Sequence, residues 1–194
     1  MTELLLVRHG ETDWNAQRRW QGCDDPPLNA AGIAQAHELA AILEGEEIDA
    51  LYSSDLRRAM MTAEILAKRL DLDVSPLAEL REIDVGSWSG LTRDELEDRF
   101  PEQLARHLES WGTGWDQGER PEQLTERVVA AAQRMAADHP GRRVLVVAHG
   151  GVIRALTAVA LSVPFGDFTR GNIVIANCSV ARFACENGGF RALD

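Results

Sequence analysis

The stretch Leu4-Leu5-Leu6-Val7-Arg8-His9-Gly10-Glu11-Thr12-Asp13-Trp14-Asn15 decides how the chain is read. The unbroken apolar run from Leu4 to Val7 suits a short strand buried on both faces. It runs straight into a guanidinium and an imidazole, and in open α/β sheets ligands bind at the C-terminal ends of strands. Gly10 lets the backbone turn sharply and approach a ligand closely. Thr12 and Asn15 add neutral hydrogen-bonding groups. The stretch reads as a site for an anionic group with a histidine at its centre.

The same grammar recurs downstream. Ile48–Tyr52 is a second short apolar strand. It ends at Ser53-Ser54-Asp55, where Asp55 is the expected cap of a helix with the stripe Leu56, Ala59, Ala63, Leu66 and Leu70. Arg57 and Arg58 fall in that helix's first turn, where the helix dipole disfavours cations. A cation beside a positive dipole end suggests that both address an anion. Val144–Ala148 is the strongest strand signal and ends at His149-Gly150-Gly151, with a helix expected from Val152 to Pro164.

Between these, residues 16–28 read as a loop. Asn29 caps a helix with the stripe Ile33, Ala36, Ala40 and Leu43, closed by Gly45. Val74–Leu77 is a third strand, and residues 80–91 a glycine-punctuated loop. Thr92 and Glu95 have capping-box spacing for a short helix to Phe100. Helix and then loop are expected over 101–118. A long helix from Pro121 carries Leu124, Val128, Ala131 and Met135. Residues 166–173 read as irregular, and Ser179–Ala184 as an edge strand. Alternating strands and helices predict a three-layer α/β/α sandwich with a mostly parallel central sheet. In such a sheet Arg8-His9, residues 53–58 and His149-Gly150 meet along one edge.

A length of 194 residues accommodates a sizeable core, and one domain over 1–194 is expected. No segment approaches membrane-spanning length, and the N-terminus shows no signal-like stretch, so the expected location is cytoplasmic. Cys23, Cys178 and Cys185 have no metal-ligand spacing and read as free thiols. The net charge of −11 argues against nucleic acid or an anionic membrane as partner. It also means that an anionic substrate requires a local cluster of cations. Lys68 is the one lysine among 20 basic residues, so being an arginine says little and position must carry the argument.

Four ordered blocks, spanning most of the chain, resemble the histidine phosphatase superfamily of the phosphoglycerate-mutase-like fold. They are Arg8 to Thr12 with Trp14-Asn15, Ser54 to Ala59 with Thr62-Ala63, Leu80-Arg81-Glu82 with Gly86 to Gly90, and Val146 to Gly151. One departure is Ser89, where many members carry glutamate. The resemblance implies phosphoryl transfer through a phosphohistidine on His9. Arg8 and Arg58 would clamp the phosphoryl oxygens, because the guanidinium fork matches them in two-point contacts. His149 and Gly150 would add a donor and a helix N-terminus. Asn15, Gln21 and Gly22 would contact phosphate or substrate, and Glu82 would be the general acid, ranked above Asp84. No metal or cofactor is implied, since arginines and histidines supply the positive charge.

Arg19, Trp20, Arg81, Trp111 and Trp115 are candidates for the pocket rim, although tryptophans are more often core or loop anchors. Arg57 reads as salt-bridging or rim, and His37, His107 and His139 as solvated surface residues. The implied activity is a metal-independent phosphomonoesterase acting on a small phosphorylated metabolite: a sugar phosphate, a glycosylated phosphoglycerate or α-ribazole phosphate. The alternatives are a cofactor-dependent phosphoglycerate mutase and, less favoured, a non-catalytic phosphate-binding scaffold. The segment between Gly90 and Pro121 is short, which favours water access and hydrolysis over the mutase. A homodimer is common in the superfamily, but no residue specifies one.

Overall fold

The computed structural model describes residues 1–110, 115–170 and 174–193. Its centre is a six-stranded sheet in the order β3-β2-β4-β1-β5-β6. The strands are β1 (Thr2–Arg8), β2 (Ala50–Ser53), β3 (Val74–Pro76), β4 (Arg143–Ala148), β5 (Val180–Glu186) and β6 (Gly189–Leu193). The first four run parallel, and β5 and β6 are antiparallel additions beside β1. The α/β sandwich expected from the strand–helix alternation is therefore present.

The helices are α1 (Asp13–Ala16), α2 (Ala30–Ile42), α3 (Arg57–Leu70), α4 (Arg93–Arg99), α5 (Pro101–Glu109), α6 (Pro121–Asp138), α7 (Gly150–Ala160) and α8 (Phe165–Arg170). The two-residue period of β1 divides the core between them. Leu4 and Leu6 join Leu124, Val128 and Leu156 of α6 and α7 on one face. Leu5 and Val7 join Leu39, Leu43, Ala59, Ala63 and Leu66 on the other. Each side chain in this list is at most 5% exposed, so β1 is buried on both faces as its apolar run requires.

Register then builds the site edge. Arg8 stands opposite Ala148, and Ser53 opposite Val147. The next residues, His9, His149 and Ser54, therefore leave the sheet side by side. The turn after His9 is pinned from beneath. A Cβ on Gly10 would lie 2.5 Å from the Gly32 carbonyl oxygen, and one on Gly32 would lie 2.1 Å from the Glu11 oxygen. Only two glycines allow α2 to approach that closely.

Several local expectations need correction. Asp55 does not cap α3: Leu56 is the N-cap, without a side-chain cap bond. The Arg57 N–H is instead met by Asp25, while Asp55 holds Arg81. β5 is not an edge strand; β6 pairs with it, from Arg182 opposite Leu193 to Glu186 opposite Gly189. Phe165–Arg170 is helical, while residues 171–173 lie outside the described residues. Ile33 is exposed and Leu39 takes its place in the core. His107 is not a surface residue, because the face of α5 that buries Leu104 also buries the position three residues on. Its ring lies 5.1–5.4 Å from those of Trp20, Trp88 and Trp115. His139 is half-buried and bonded to the Tyr52 hydroxyl at 3.0 Å.

Candidate active site

The strand-end histidine is held in one tautomer. His9 Nδ1 lies 2.7 Å from the Gly10 carbonyl oxygen, which can only accept, so Nδ1 carries the proton. Nε2 therefore presents its lone pair, and Arg58 Nε donates to it at 3.2 Å. Burial, then the charges of Arg58 and Arg8, hold His9 well below the ordinary histidine pKa of 6.5. The ring is neutral at physiological pH, as an attacking nitrogen must be.

Arg58 has no exposed surface. Its Nη1 donates to the Asp24 carbonyl at 2.6 Å and its Nη2 to the Gly22 carbonyl at 2.8 Å. Burial lowers its pKa to about 10, which leaves it charged at neutral pH. Gly22 sits at φ +50°, and a Cβ there would lie 2.8 Å from Val85 Cγ2, so glycine is needed to turn its carbonyl toward Arg58.

His149 is also wholly buried, its ring centroid 5.1 Å from that of His9. The Ser54 hydroxyl accepts from the Leu56 N–H and lies 2.8 Å from His149 Nε2. In the tautomer in which that hydroxyl donates to Nε2, the ring proton is on Nδ1. His149 Nδ1 and Arg8 Nε find no hydrogen-bond partner among the described residues. Two buried donors without acceptors, beside a neutral nucleophilic nitrogen, ask for an oxyanion.

Glu82 completes the group. Its Oε1 accepts from Gly151 N–H at 3.0 Å and from Ile83 N–H at 2.9 Å. A Cβ on Gly151 would sit 2.2 Å from that oxygen, so glycine is obligatory there. The Gly151 N–H is shared with Oε2 at 3.2 Å. A cavity of about 300 Å³ joins Arg8, His9, Asn15, Gln21, Gly22, Arg58 and Glu82. The Thr12 hydroxyl lies 3.1 Å from the side-chain oxygens of both Asn15 and Gln21, which leaves their amide nitrogens as cavity donors.

The description "Histidine phosphatase superfamily (branch 1)" fits residues 4–194 as a family model. The chain belongs to the histidine phosphatase superfamily. Among its relatives is PhoE, an uncharacterized phosphatase of Bacillus subtilis, 36% identical over 156 residues, covering 80% of this chain and 76% of that one. Another is phosphoserine phosphatase 1 of Hydrogenobacter thermophilus, 32% identical over 194 residues, covering 100% and 86%. The solved structure of YhfR from Bacillus stearothermophilus superposes with a TM-score of 0.90 at 34% identity, covering 99% and 95%. These relatives support a phosphoric monoester hydrolase.

Within this histidine phosphatase the rim candidates divide. Arg19 and Trp20 line the cavity. Arg19 is also tied to Glu95 and the Gly90 carbonyl. Arg81 does not line it: its fork is closed on Asp55 at 2.6–2.7 Å, and it faces a separate depression with Asp84. Asp84, whose Oδ1 accepts from Gly86 N–H, is therefore no rival to Glu82. Trp115 belongs to the aromatic cluster and a neighbouring cavity, and Trp111 lies outside the described residues. Arg57 is exposed and away from the wall. The α7 terminus meets the wall through Gly151 rather than Gly150.

Three arginines near the site escaped the sequence reading. Arg18 and Arg154 line the cavity. Arg127 of α6 spends its donors around Glu82. It forks onto Glu119 at 2.6 and 2.7 Å, and bonds the carbonyls of Glu79, Arg81 and Glu82 at 2.7–3.2 Å. Arg127→Met would leave a partly buried carboxylate and three carbonyls without their donor. A loss of about 2–3 kcal/mol is expected, at the lower end for a buried pair because both partners keep some solvent. That corresponds to a thermal midpoint about 5–10 °C lower, measured by calorimetry.

Three buried histidines also set the acid stability. Burial lowers His107 to about 4, and burial followed by nearby cations lowers His9 and His149 well below 6.5. In the unfolded chain all three take protons once the pH falls below about 6.5. The unfolded state then binds more protons, so stability is full above that pH and is lost as the pH falls toward the folded values. Urea midpoints are expected to drop between pH 7 and 5, with a slope approaching ~4 kcal/mol per pH unit if all three protons differ. Carboxylates held low by arginines, such as Glu3 and Asp55, add their losses as the pH falls from the ordinary carboxylate values toward their lower folded ones.

Proposed function

We propose that the chain hydrolyses a small phosphomonoester through a phosphohistidine on His9, without a metal ion. The observation that carries this reading is the His9 tautomer: Nδ1–H on the Gly10 carbonyl, the unprotonated Nε2 turned to Arg58 Nε, and Arg8 Nε and His149 Nδ1 buried alongside without partners among the described residues.

Nε2 attacks phosphorus in line, and the P–O bond to the alcohol breaks. Arg8, Arg58 and His149 Nδ1–H bind the phosphoryl oxygens, with Asn15, Gln21 and the Gly22 backbone as neutral neighbours. The charge that a magnesium ion supplies in other phosphoryl transfers comes here from guanidiniums. Glu82 gives its carboxyl proton to the departing alkoxide. As carboxylate it then takes a proton from water, which attacks the phosphohistidine and releases inorganic phosphate. His9 returns to its neutral form and Glu82 to its acid form.

The test is incubation with p-nitrophenyl phosphate and with 3-phosphoglycerate, each with and without chelator. Phosphate release that survives chelator supports the proposal. Isomerisation to 2-phosphoglycerate without release would replace it with the mutase, and inertness toward both would replace it with a phosphate-binding scaffold.

A further inference from the structure

The peptide that joins His9 to Gly10 is held at both ends by side chains outside the cavity. The His9 carbonyl accepts from Asn177 Nδ2 at 2.8 Å, and the Gly10 N–H donates to the Thr62 hydroxyl at 3.0 Å. That hydroxyl gives its own proton to the Arg58 carbonyl, one turn back in α3, at 2.8 Å, so it meets Gly10 as an acceptor. Thr62 is wholly buried. Neither Asn177 nor Thr62 lines the cavity. The grip matters because the ring proton of His9 rests on the next carbonyl, that of Gly10. Rotating the peptide between them would move the acceptor of Nδ1, and with it the direction of Nε2.

Asn177 does more than hold a carbonyl. Its Nδ2 also lies 3.4 Å from Asn15 Oδ1. The Thr12 N–H, 3.1 Å from the Asn15 side chain, can only donate, so Asn15 presents its oxygen there. The His9 carbonyl can only accept, so Asn177 presents its nitrogen. One amide thus joins the backbone of the nucleophile to the side chain of a cavity residue, and the Asn15 nitrogen is the end left for the cavity. The segment that carries Asn177 is itself tied to the end of β1. The Cys178 N–H donates to the Arg8 carbonyl at 2.8 Å, the Arg8 N–H to the Ser179 carbonyl at 3.2 Å, and Arg8 Nη1 to the Ile175 carbonyl at 2.6 Å. Residues 175–179 therefore hold Arg8 by main chain and side chain, with Asn177 at their middle.

We propose that Asn177 is a positioning residue for phosphoryl transfer: it locks the His9–Gly10 peptide against Thr62 and couples that peptide to Asn15, so that Nε2 and the Asn15 amide keep one spacing around the phosphorus. This deepens the proposed hydrolysis at His9 and rests on it. Asn177 moves no proton and touches no substrate. Its contribution is geometric, and a displacement of about 1 Å that begins away from the chemistry can cost ~10²-fold in rate.

The experiment measures kcat and KM for p-nitrophenyl phosphate in wild type, Asn177→Leu, Asn15→Ala and the double variant, with urea midpoints to show that each is folded. Leucine keeps the branched shape without the donor, and Asn177→Ala carries the same cycle if the leucine variant does not fold. Asn177→Leu is expected to lower kcat about 10- to 100-fold while KM changes less than about threefold. In the Asn15→Ala background the same substitution should cost a factor at least about threefold smaller, because part of its effect runs through a side chain already removed. Thr62→Val should reproduce the loss in kcat, and Thr62→Ser, which keeps the hydroxyl, should restore most of it. A kcat within about threefold of wild type in a folded Asn177 variant overturns the proposal. So does an equal loss with and without the Asn15 side chain, or an equal kcat in Thr62→Val and Thr62→Ser. A wild type inert toward p-nitrophenyl phosphate overturns the parent reading instead.

Discussion

His9→Ala is expected to lower turnover by about 10⁵-fold or more, the scale seen when a covalent nucleophile is removed. The remaining donors would still bind the phosphoryl group, but water would have to attack it directly with no step divided in two. The fold should survive. The imidazole is a neutral ring, and its loss forfeits one bond to the Gly10 carbonyl and one acceptor for Arg58. That is worth about 1–3 kcal/mol, short of what unfolds a typical domain. Two measurements check it: circular dichroism on the variant, and acid-free trapping of labelled phosphorus on the wild-type ring. Turnover close to wild type in the variant, or no label in the wild type, would remove the nucleophile assignment.

Glu82→Gln is expected to slow leaving-group departure about 10²–10⁴-fold for alkyl phosphates and far less for aryl phosphates. Nitrophenolate departs without a proton; an alkoxide does not. Stopped-flow should therefore show a burst of nitrophenolate followed by slow turnover, because the missing carboxylate also fails to activate water. Gly151→Ala should imitate this variant, since its methyl group would displace Glu82 Oε1 from the two amides that fix it. Equal losses for alkyl and aryl esters in the first step would count against the acid role.

What the sequence disclosed depended on how local the signal was. The strand ends at His9, Ser54 and His149 were legible because each apolar run announces a buried strand and each ends in polar residues, with glycine after the two histidines. Parallel order then forces those ends together. The partners of the charged groups were not legible. Arg58 is held by the carbonyls of Gly22 and Asp24, and no side-chain pattern encodes a carbonyl's direction. Arg81 and Asp55, 26 residues apart, could not be paired before the loop's path was known. Arg127 and Arg154 were hidden because nearly every basic residue here is arginine. Arg154 still had a positional clue, one helical turn beyond the Gly-Gly start. His107 was misread as polar surface because its type was weighed above its spacing from Leu104. β6 was missed because its run, Gly189-Phe190-Arg191-Ala192-Leu193, is only five residues long and is broken by Arg191.

The two outermost strands have a bearing on self-association. β3 is three residues long and ends in Pro76, which offers no amide hydrogen to a newcomer. At the opposite border, β6 opens with glycine and exposes Arg191, a residue that repels an identical neighbour. Neither border is a template for continuing the sheet into another molecule. Fibril growth by strand recruitment is thereby discouraged at both ends, and any pairing of two such chains has to use helical or loop surfaces.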